Sequence, residues 1–350
     1  MFEGIKVLFL DPELSRPKYL KKICIEKGIL EKNIMISSDS SEALRVLARE
    51  TPDVFICDDQ MGEESVLELI KKVKNTQSTQ EVLFFLMTDN TSQASLGRYI
   101  EEEIDGFILK PFMSKNFRDL VFQRLTKKLN PSAYSQLIEE GKKHSYHGLV
   151  DLALASFEKA KGLGEQPSNA YYQSAQINEL KGSYTESLND YQVSIRANPL
   201  HFKTLSAMFQ LLLKEDRLKE AYTTLKRLIM LYPKNPDRLA LGVKMAVQTS
   251  QFRDISDYYD YYTHQIKPPQ DLTRHMCSGL AVSGKYHLMR DEVDEALVQF
   301  ERAIQHGAGE KRYLNYIVES LTERGLTQEL NRFQNESETK TVSVSGSKSQ

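Results

Sequence analysis

Cysteine is scarce in this chain. Three residues, Cys24, Cys57 and Cys277, are scattered through 350 positions. An odd, dispersed set excludes a disulfide framework and points to a reducing compartment. Long apolar runs are also missing. No stretch approaches the roughly 20 residues that a membrane span needs, and the opening Met-Phe-Glu-Gly-Ile-Lys lacks a signal peptide's apolar core. A soluble, cytoplasmic chain with no membrane partner is expected. Nor is there a basic excess. The net charge is −2, with 19 Lys+Arg against 21 Asp+Glu over residues 1–130 and 27 against 27 over the rest. Nucleic acid is therefore not an expected partner, and no basic helix-turn-helix unit follows residue 130. Walker loops, dinucleotide glycine fingerprints, zinc spacings and nucleophile elbows are all absent.

Two regimes of hydrophobic patterning are present, and the length calls for at least two domains. Up to about residue 130, short apolar runs alternate with helical stripes. The runs are Ile5 to Leu10, Ile34 to Ile36, Val54 to Cys57, Val82 to Met87 and Phe107 to Leu109. Helical patterns fall between them, including one from about Ser92 to Glu102, and a last one carries Phe117, Leu120, Val121 and Leu125 on one stripe. This alternation predicts a parallel sheet covered on both faces. Chemistry in such a sheet sits beyond the carboxyl ends of the strands. The polar residues there are Asp11, Asp58, Thr88 and Lys110. An acid pair, a hydroxyl and an ammonium converging on one edge suit a carboxylate that accepts a phosphoryl group.

On these residues and spacings the first 125 or so positions resemble the two-component response-regulator receiver domain. Thr88 follows Asp58 by 30 residues, Lys110 follows Thr88 by 22, and Lys110 opens a Lys-Pro-Phe. The resemblance implies a flavodoxin-like α/β domain at 1–129 with a five-stranded parallel sheet in order 2-1-3-4-5. It implies Asp58 as phosphoacceptor, Thr88 and Lys110 as phosphate-binding switch residues, and Phe107 as the switch aromatic. It also implies Mg2+ held by Asp11 and Asp58, with Glu13 and the Gln60 backbone as further ligands. A histidine kinase or a small phosphodonor would be the phosphoryl source. The pattern is departed from at Pro12, which stands where the family keeps its second acid, and at Gly62, which replaces a proline. A lost anionic ligand should weaken Mg2+ binding. Cys57, inside a buried strand, reads as packing, and Asp59 as a solvated loop acid.

Past Lys127-Lys128-Leu129-Asn130-Pro131-Ser132 the strand signals stop. A period of 34 residues takes over. Tyr184, Ser187, Tyr191 and Ser194 step back by 34 to Val150, Ala153, Phe157 and Ala160, and forward to Leu218, Ala221, Leu225 and Leu228, then to Phe252, Ile255, Tyr259 and Tyr262. A fifth copy, Val293, Ala296, Phe300 and Ala303, comes seven residues late, which is about two helical turns and keeps the buried face in phase. The added residues are placed in its first helix, around Met276 to Leu288. A degenerate sixth pair begins near Tyr313. The pattern resembles the tetratricopeptide repeat, with Gly141 and Gly284 at its small-residue position. An all-α solenoid is implied over 132–334, followed by a polar tail at 335–350 expected to be disordered.

The resemblance assigns Lys142, Asn169, Tyr172, Gln176, Lys203, Gln210 and Lys244 to a groove for a protein or peptide ligand. In Asp257-Tyr-Tyr-Asp-Tyr-Tyr262, Tyr259 and Tyr262 read as core, with Tyr258 and Tyr261 as exposed partner contacts. The expected function is that of a response regulator whose phosphorylation on Asp58 modulates protein–protein interaction, with no enzymatic activity beyond self-phosphotransfer. The alternative is a constitutive adaptor whose pseudo-receiver serves for docking.

Overall fold

The computed structural model describes residues 2–75, 81–90, 96, 99–101, 104–111, 114–164, 167–265, 267–307 and 310–333. The expected tail at 335–350, and most of the helix expected between Ser92 and Glu102, lie outside the described residues.

Five strands, β1 (Val7–Leu10), β2 (Ile34–Ser37), β3 (Val54–Asp58), β4 (Leu83–Thr88) and β5 (Gly106–Leu109), form one sheet in the order β2-β1-β3-β4-β5. All four strand pairs are parallel. Side chains alternate between two cores, as the two-residue strand period requires. Val7, Phe9, Val54, Ile56, Phe85 and Met87 pack with Leu20, Ile23, Phe117, Val121 and Leu125. Leu8, Leu10, Phe55, Cys57, Phe84 and Leu86 pack on the other face with Ala43, Val66 and Ile70. Each such side chain contributes about 1.5–3 kcal/mol on burial, so these apolar runs can form stable structure only as central strands. The helices Ser15–Glu26, Ser40–Arg49 and Glu63–Asn75 connect the strands. Asp39 caps the second of these, accepting the Glu42 N–H at 2.9 Å.

Register fixes the polar edge. Leu10 pairs with Cys57, which sets Asp11 beside Asp58. Asp58 pairs with Met87, so Thr88 stands one residue beyond it, and Thr88 pairs with Leu109, so Lys110 stands one beyond that.

Contacts divide the chain into two compact units, Met1–Thr204 and Leu205–Gln350. The first contains the sheet and the helices Ala133–Tyr146, Val150–Gly162, Pro167–Leu180 and Tyr184–Ala197. Ser132 caps the first of these through the Ser135 N–H at 3.2 Å. The second unit contains Leu218–Leu231, Pro236–Gln248, Asp254–Thr263, Gln270–Met289, Val293–His306 and Lys311–Glu323, and the helix Phe202–Lys214 spans the division.

The repeat period is recorded in the backbone. The chain turns through a left-handed residue at Gly148, Gly182, Asp216, Ser250, Asp291 and Gly325. Every step between these positions is 34 residues except the one from Ser250 to Asp291, which is seven longer. Each left-handed residue lets a helix end and the next return after a short turn. The seven extra residues lie in Gln270–Met289, a helix of 20 residues where the other repeat helices have 10 to 14. A side-chain lock is also repeated. A Cβ on Gly141 would lie 2.4 Å from the Phe157 ring, and one on Gly284 2.3 Å from the Phe300 ring. Glycine is required there by close approach.

The tyrosine cluster needs a correction. Tyr258 is not a surface residue. It is buried, its hydroxyl donates to the Tyr222 hydroxyl at 3.0 Å, and Tyr222 donates to Asp254 at 2.6 Å. Tyr259 and Tyr262 are buried and stack at 6.1 Å, while Tyr261 is half-buried. Residues 255, 258, 259 and 262 form one helical stripe, which is why Tyr258 turns inward.

Candidate functional site

Asp58 ends β3 with no exposed surface. Its Oδ1 accepts the Gln60 N–H at 2.8 Å, which fixes the carboxylate across the turn that follows the strand. Lys110 reaches in from the end of β5 and donates to both carboxylate oxygens at 3.2 Å. Its shortest bond, 2.8 Å, goes to Asp59 Oδ1. Asp59 is therefore a partner of the ammonium and not the free loop acid the sequence suggests. Thr88 is buried at the end of β4, and its hydroxyl accepts the Asn90 N–H at 3.0 Å. Phe107 is half-buried and packs against the core that contains Phe55 and Leu86.

Sequence reasoning missed Arg16, the residue that completes this site. Arg16 lies in the first turn of the helix Ser15–Glu26. It grips Asp11 as a fork, Nε to Oδ2 at 2.9 Å and a terminal nitrogen to Oδ1 at 2.8 Å. The same terminal nitrogen lies 3.3 Å from Asp58 Oδ2 and 3.3 Å from the Gln60 side-chain oxygen. Asp11 is fully buried and Oδ1 also accepts the Glu13 N–H at 2.7 Å. The Glu13 carboxylate is exposed, accepts from the Ser15 hydroxyl at 2.8 Å and lies 3.6 Å from Arg16.

These positions bear on Mg2+. The ion demands near-octahedral oxygen ligation at about 2.0–2.1 Å. Both Asp11 oxygens are committed to a guanidinium, Pro12 offers no carboxylate, and Glu13 faces solvent. The Gln60 side chain also accepts from Arg16. Among the described residues no group of three or more His, Cys, Asp or Glu is arranged to hold a metal ion. The carboxylate set of Asp11, Asp58 and Glu13 therefore does not fit Mg2+ as placed, and the Gln60 backbone oxygen alone does not make up for it.

Burial raises the Asp58 carboxyl above the ordinary carboxylate range, and the Gln60 N–H and Lys110 oppose this only in part. Burial pulls Lys110 down, but Asp59 and Asp58 outweigh it and the ammonium titrates above the usual lysine range. The hydrogen bond to Asp11 holds Arg16 higher still. Burial pushes the Cys57 thiol well up, so it is inert packing.

The raised Asp58 value has a sign that can be measured. Its stabilising contribution is fully present below the unfolded carboxyl's value and is lost as pH rises through the folded one. Replacing Asp58 with Asn is expected to raise the melting temperature at neutral pH by a few degrees. That gain should vanish below pH of about 4, where both states are protonated. Thermal melts across this range check it; a gain that grows as pH falls contradicts it.

The groove positions separate. Lys142 is exposed and ion-paired with Glu139, Asn169 and Gln176 are half-buried, and Gln210 and Lys244 are exposed. Tyr172 is a correction. It is buried against Tyr191 and His201, at ring distances of 6.2 and 5.5 Å, and burial raises its hydroxyl to about 12. Lys203 is half-buried, and burial, with the charge of Lys74, lowers its ammonium.

A buried carboxylate bonded by an ammonium thus lies beyond the strand ends of a five-stranded parallel sheet. Residues 8–122 match the family described as the response regulator receiver domain. Such domains are signal transducers of two-component systems that generally bind Mg2+ at an acidic site and receive from a kinase or phosphodonor. Among curated proteins, the chain is 29% identical over 107 residues to the "Regulator of RpoS" of Escherichia coli (strain K12). The match covers 30% of this chain and 30% of that protein, so the chain spans under a third of the length of such relatives. Among solved structures it is similar to the chemotaxis response regulator CheY4 of Vibrio cholerae, at 22% identity over 34% of this chain and 97% of that one, TM-score 0.32. It is also similar to a tetratricopeptide repeat protein from Parabacteroides merdae, at 15% identity over 59% and 80%, TM-score 0.33. Among the described residues no helix is long and apolar enough to cross a membrane.

Proposed function

We propose that the chain is a response regulator in which Asp58 accepts a phosphoryl group and the helical repeats bind a protein or peptide. The single observation that carries this is the Asp58 carboxylate held between Lys110 and the Gln60 N–H, with the Thr88 hydroxyl one residue beyond in the register. The Asp58 carboxylate attacks the donor phosphorus, a new P–O bond forms, and the bond from phosphorus to the donor's acyl oxygen or imidazole nitrogen breaks. The leaving group keeps the electron pair of the broken bond and departs as carboxylate or as neutral imidazole. Lys110 and Thr88 then bind the phosphoryl oxygens, and Phe107 follows Thr88. The receiver at 1–129 works with repeats at 132–334. Exposed or half-buried polar positions (Lys142, Asn169, Gln176 and Lys203 in the first unit, Gln210 and Lys244 in the second) are the proposed contacts for a somewhat acidic ligand. A cytoplasmic location fits this role.

Incubation of the full chain with acetyl phosphate, with and without Mg2+, followed by intact-mass measurement, tests the reading. One added phosphoryl group is expected on the natural chain and none on Asp58→Asn. No adduct under either condition overturns it. That outcome would favour the second reading, a constitutive adaptor with a docking pseudo-receiver, which Pro12 and the Arg16 contact with Asp58 support.

A further inference from the structure

We infer that Arg16 is the resident counter-cation of the acid pocket, occupying the place of a divalent metal, so that this receiver does not take up Mg2+ at Asp11 and Asp58. The inference rests on the geometry of the pocket and not on whether Asp58 is phosphorylated.

Three observations carry it. First, the oxygens are spoken for. Asp11 Oδ1 accepts from the Glu13 N–H and from Arg16, and Oδ2 accepts from Arg16 Nε. Asp58 Oδ1 accepts from Gln60 and Lys110, and Oδ2 lies 3.2 Å from Lys110 and 3.3 Å from Arg16. A hard cation would have to evict a fork-shaped guanidinium that matches the carboxylate bidentately, the strongest of the charged hydrogen-bond geometries. Second, most of the charge is already met. The fully buried Asp11 and Asp58 and the 20% exposed Asp59 face one guanidinium and one ammonium. A divalent ion added to that set would leave uncompensated positive charge in a site of low effective dielectric. Third, Pro12 leaves Asp11 without an adjacent carboxylate, and Arg16 on the same short segment holds both Asp11 oxygens, so the anionic donors are few and already bonded.

The consequence concerns the chemistry of the site. Arg16 and Lys110 both lie against Asp58, and both line a cleft with Ser15, Gln60 and Asp89. An incoming phosphoryl group would meet two fixed protein cations. Any phosphorylation of Asp58 is then independent of metal concentration.

Mn2+ serves as the probe, because its free ion gives an electron paramagnetic resonance signal that is lost on binding. The full natural chain is expected to leave millimolar free Mn2+ undiminished. Arg16→Ala is expected to bind one equivalent at least about tenfold more tightly, and millimolar Mg2+ should raise its melting temperature while leaving the natural chain's unchanged. Arg16→Gln, which keeps most of the hydrocarbon stem, serves if the alanine variant does not fold. One-equivalent Mn2+ binding by the natural chain that Asp58→Asn abolishes overturns the inference. So does a folded Arg16 variant that binds no more tightly than the natural chain. Because none of these readouts requires phosphoryl transfer, their outcome is separate from that of the acetyl phosphate experiment.

Discussion

Arg16→Ala is expected to cost about 3–5 kcal/mol of stability at neutral pH, the usual loss when one partner of a buried ion pair is removed. Asp11 and Asp58 both lie with no exposed surface, and Arg16 is only 18% exposed. Without the guanidinium, Lys110 and the Gln60 N–H remain to Asp58, while among the described residues Asp11 keeps only the Glu13 N–H. Two like charges then share a dry edge of the sheet. One of them is expected to take up a proton well above the ordinary carboxylate range. The variant's deficit should therefore shrink as pH falls, since protonation relieves the repulsion. Urea unfolding at pH 7 and pH 5 measures both effects. A loss under 1 kcal/mol at pH 7, or a deficit that grows on acidification, contradicts the geometry.

Phe157→Ala is expected to be as costly, about 3–5 kcal/mol. The ring is fully buried among Tyr134, Ile138, Ala153, Ala160, Ala170 and Ile177. It lies over Gly141 so closely that no Cβ fits. Truncating it leaves a cavity that the neighbouring helices fill only in part. The sharper measure is a double-mutant cycle. Gly141→Ala alone should destabilise, because the new methyl meets the Phe157 ring. In the Phe157→Ala background the same change should cost much less, giving a coupling of roughly 0.5–3 kcal/mol. Additive losses would mean that glycine is not needed for the approach of these two helices.

The sheet and its polar edge could be read from the amino acids because two independent patterns coincide there. Apolar runs mark the strands, and the polar residue that ends a run is carried by register to one rim. Asp11, Asp58, Thr88 and Lys110 follow from that logic without any knowledge of contacts. The 34-residue period was legible for a similar reason. A left-handed turn residue and a buried helical stripe recur together, so one signal supports the other.

What escaped notice has physical causes. Arg16 stands five residues after Asp11, across the turn into a helix, and long cations in a first helical turn usually face solvent. Its role follows from a loop that folds back on Asp11, which no periodicity records. The available signal was the coincidence of a lost acid at Pro12 with a cation one turn later. Asp59 was misread because adjacent acids give no hint of which one the lysine favours. Tyr258 was misread although the pattern held the answer: with Ile255, Tyr259 and Tyr262 it completes a stripe at helical spacing. Its hydroxyl is satisfied inside the core by Tyr222, so the polar group did not require exposure. Tyr172 shows the converse. A family's binding position became a packing position once Tyr191 and His201 closed over it.

The most direct measurement locates the phosphoryl group chemically. The full chain is treated with acetyl phosphate in the presence of a metal chelator, reduced with borohydride, digested and mapped by mass spectrometry. Reduction converts an aspartyl phosphate to homoserine at the residue that carried it. Homoserine at position 58, absent from Asp58→Asn and undiminished by the chelator, is the expected result. Aspartate unchanged at position 58 whether or not Mg2+ is supplied, or conversion that occurs only when Mg2+ is present, would contradict a metal-free acceptor held by Lys110 and Arg16.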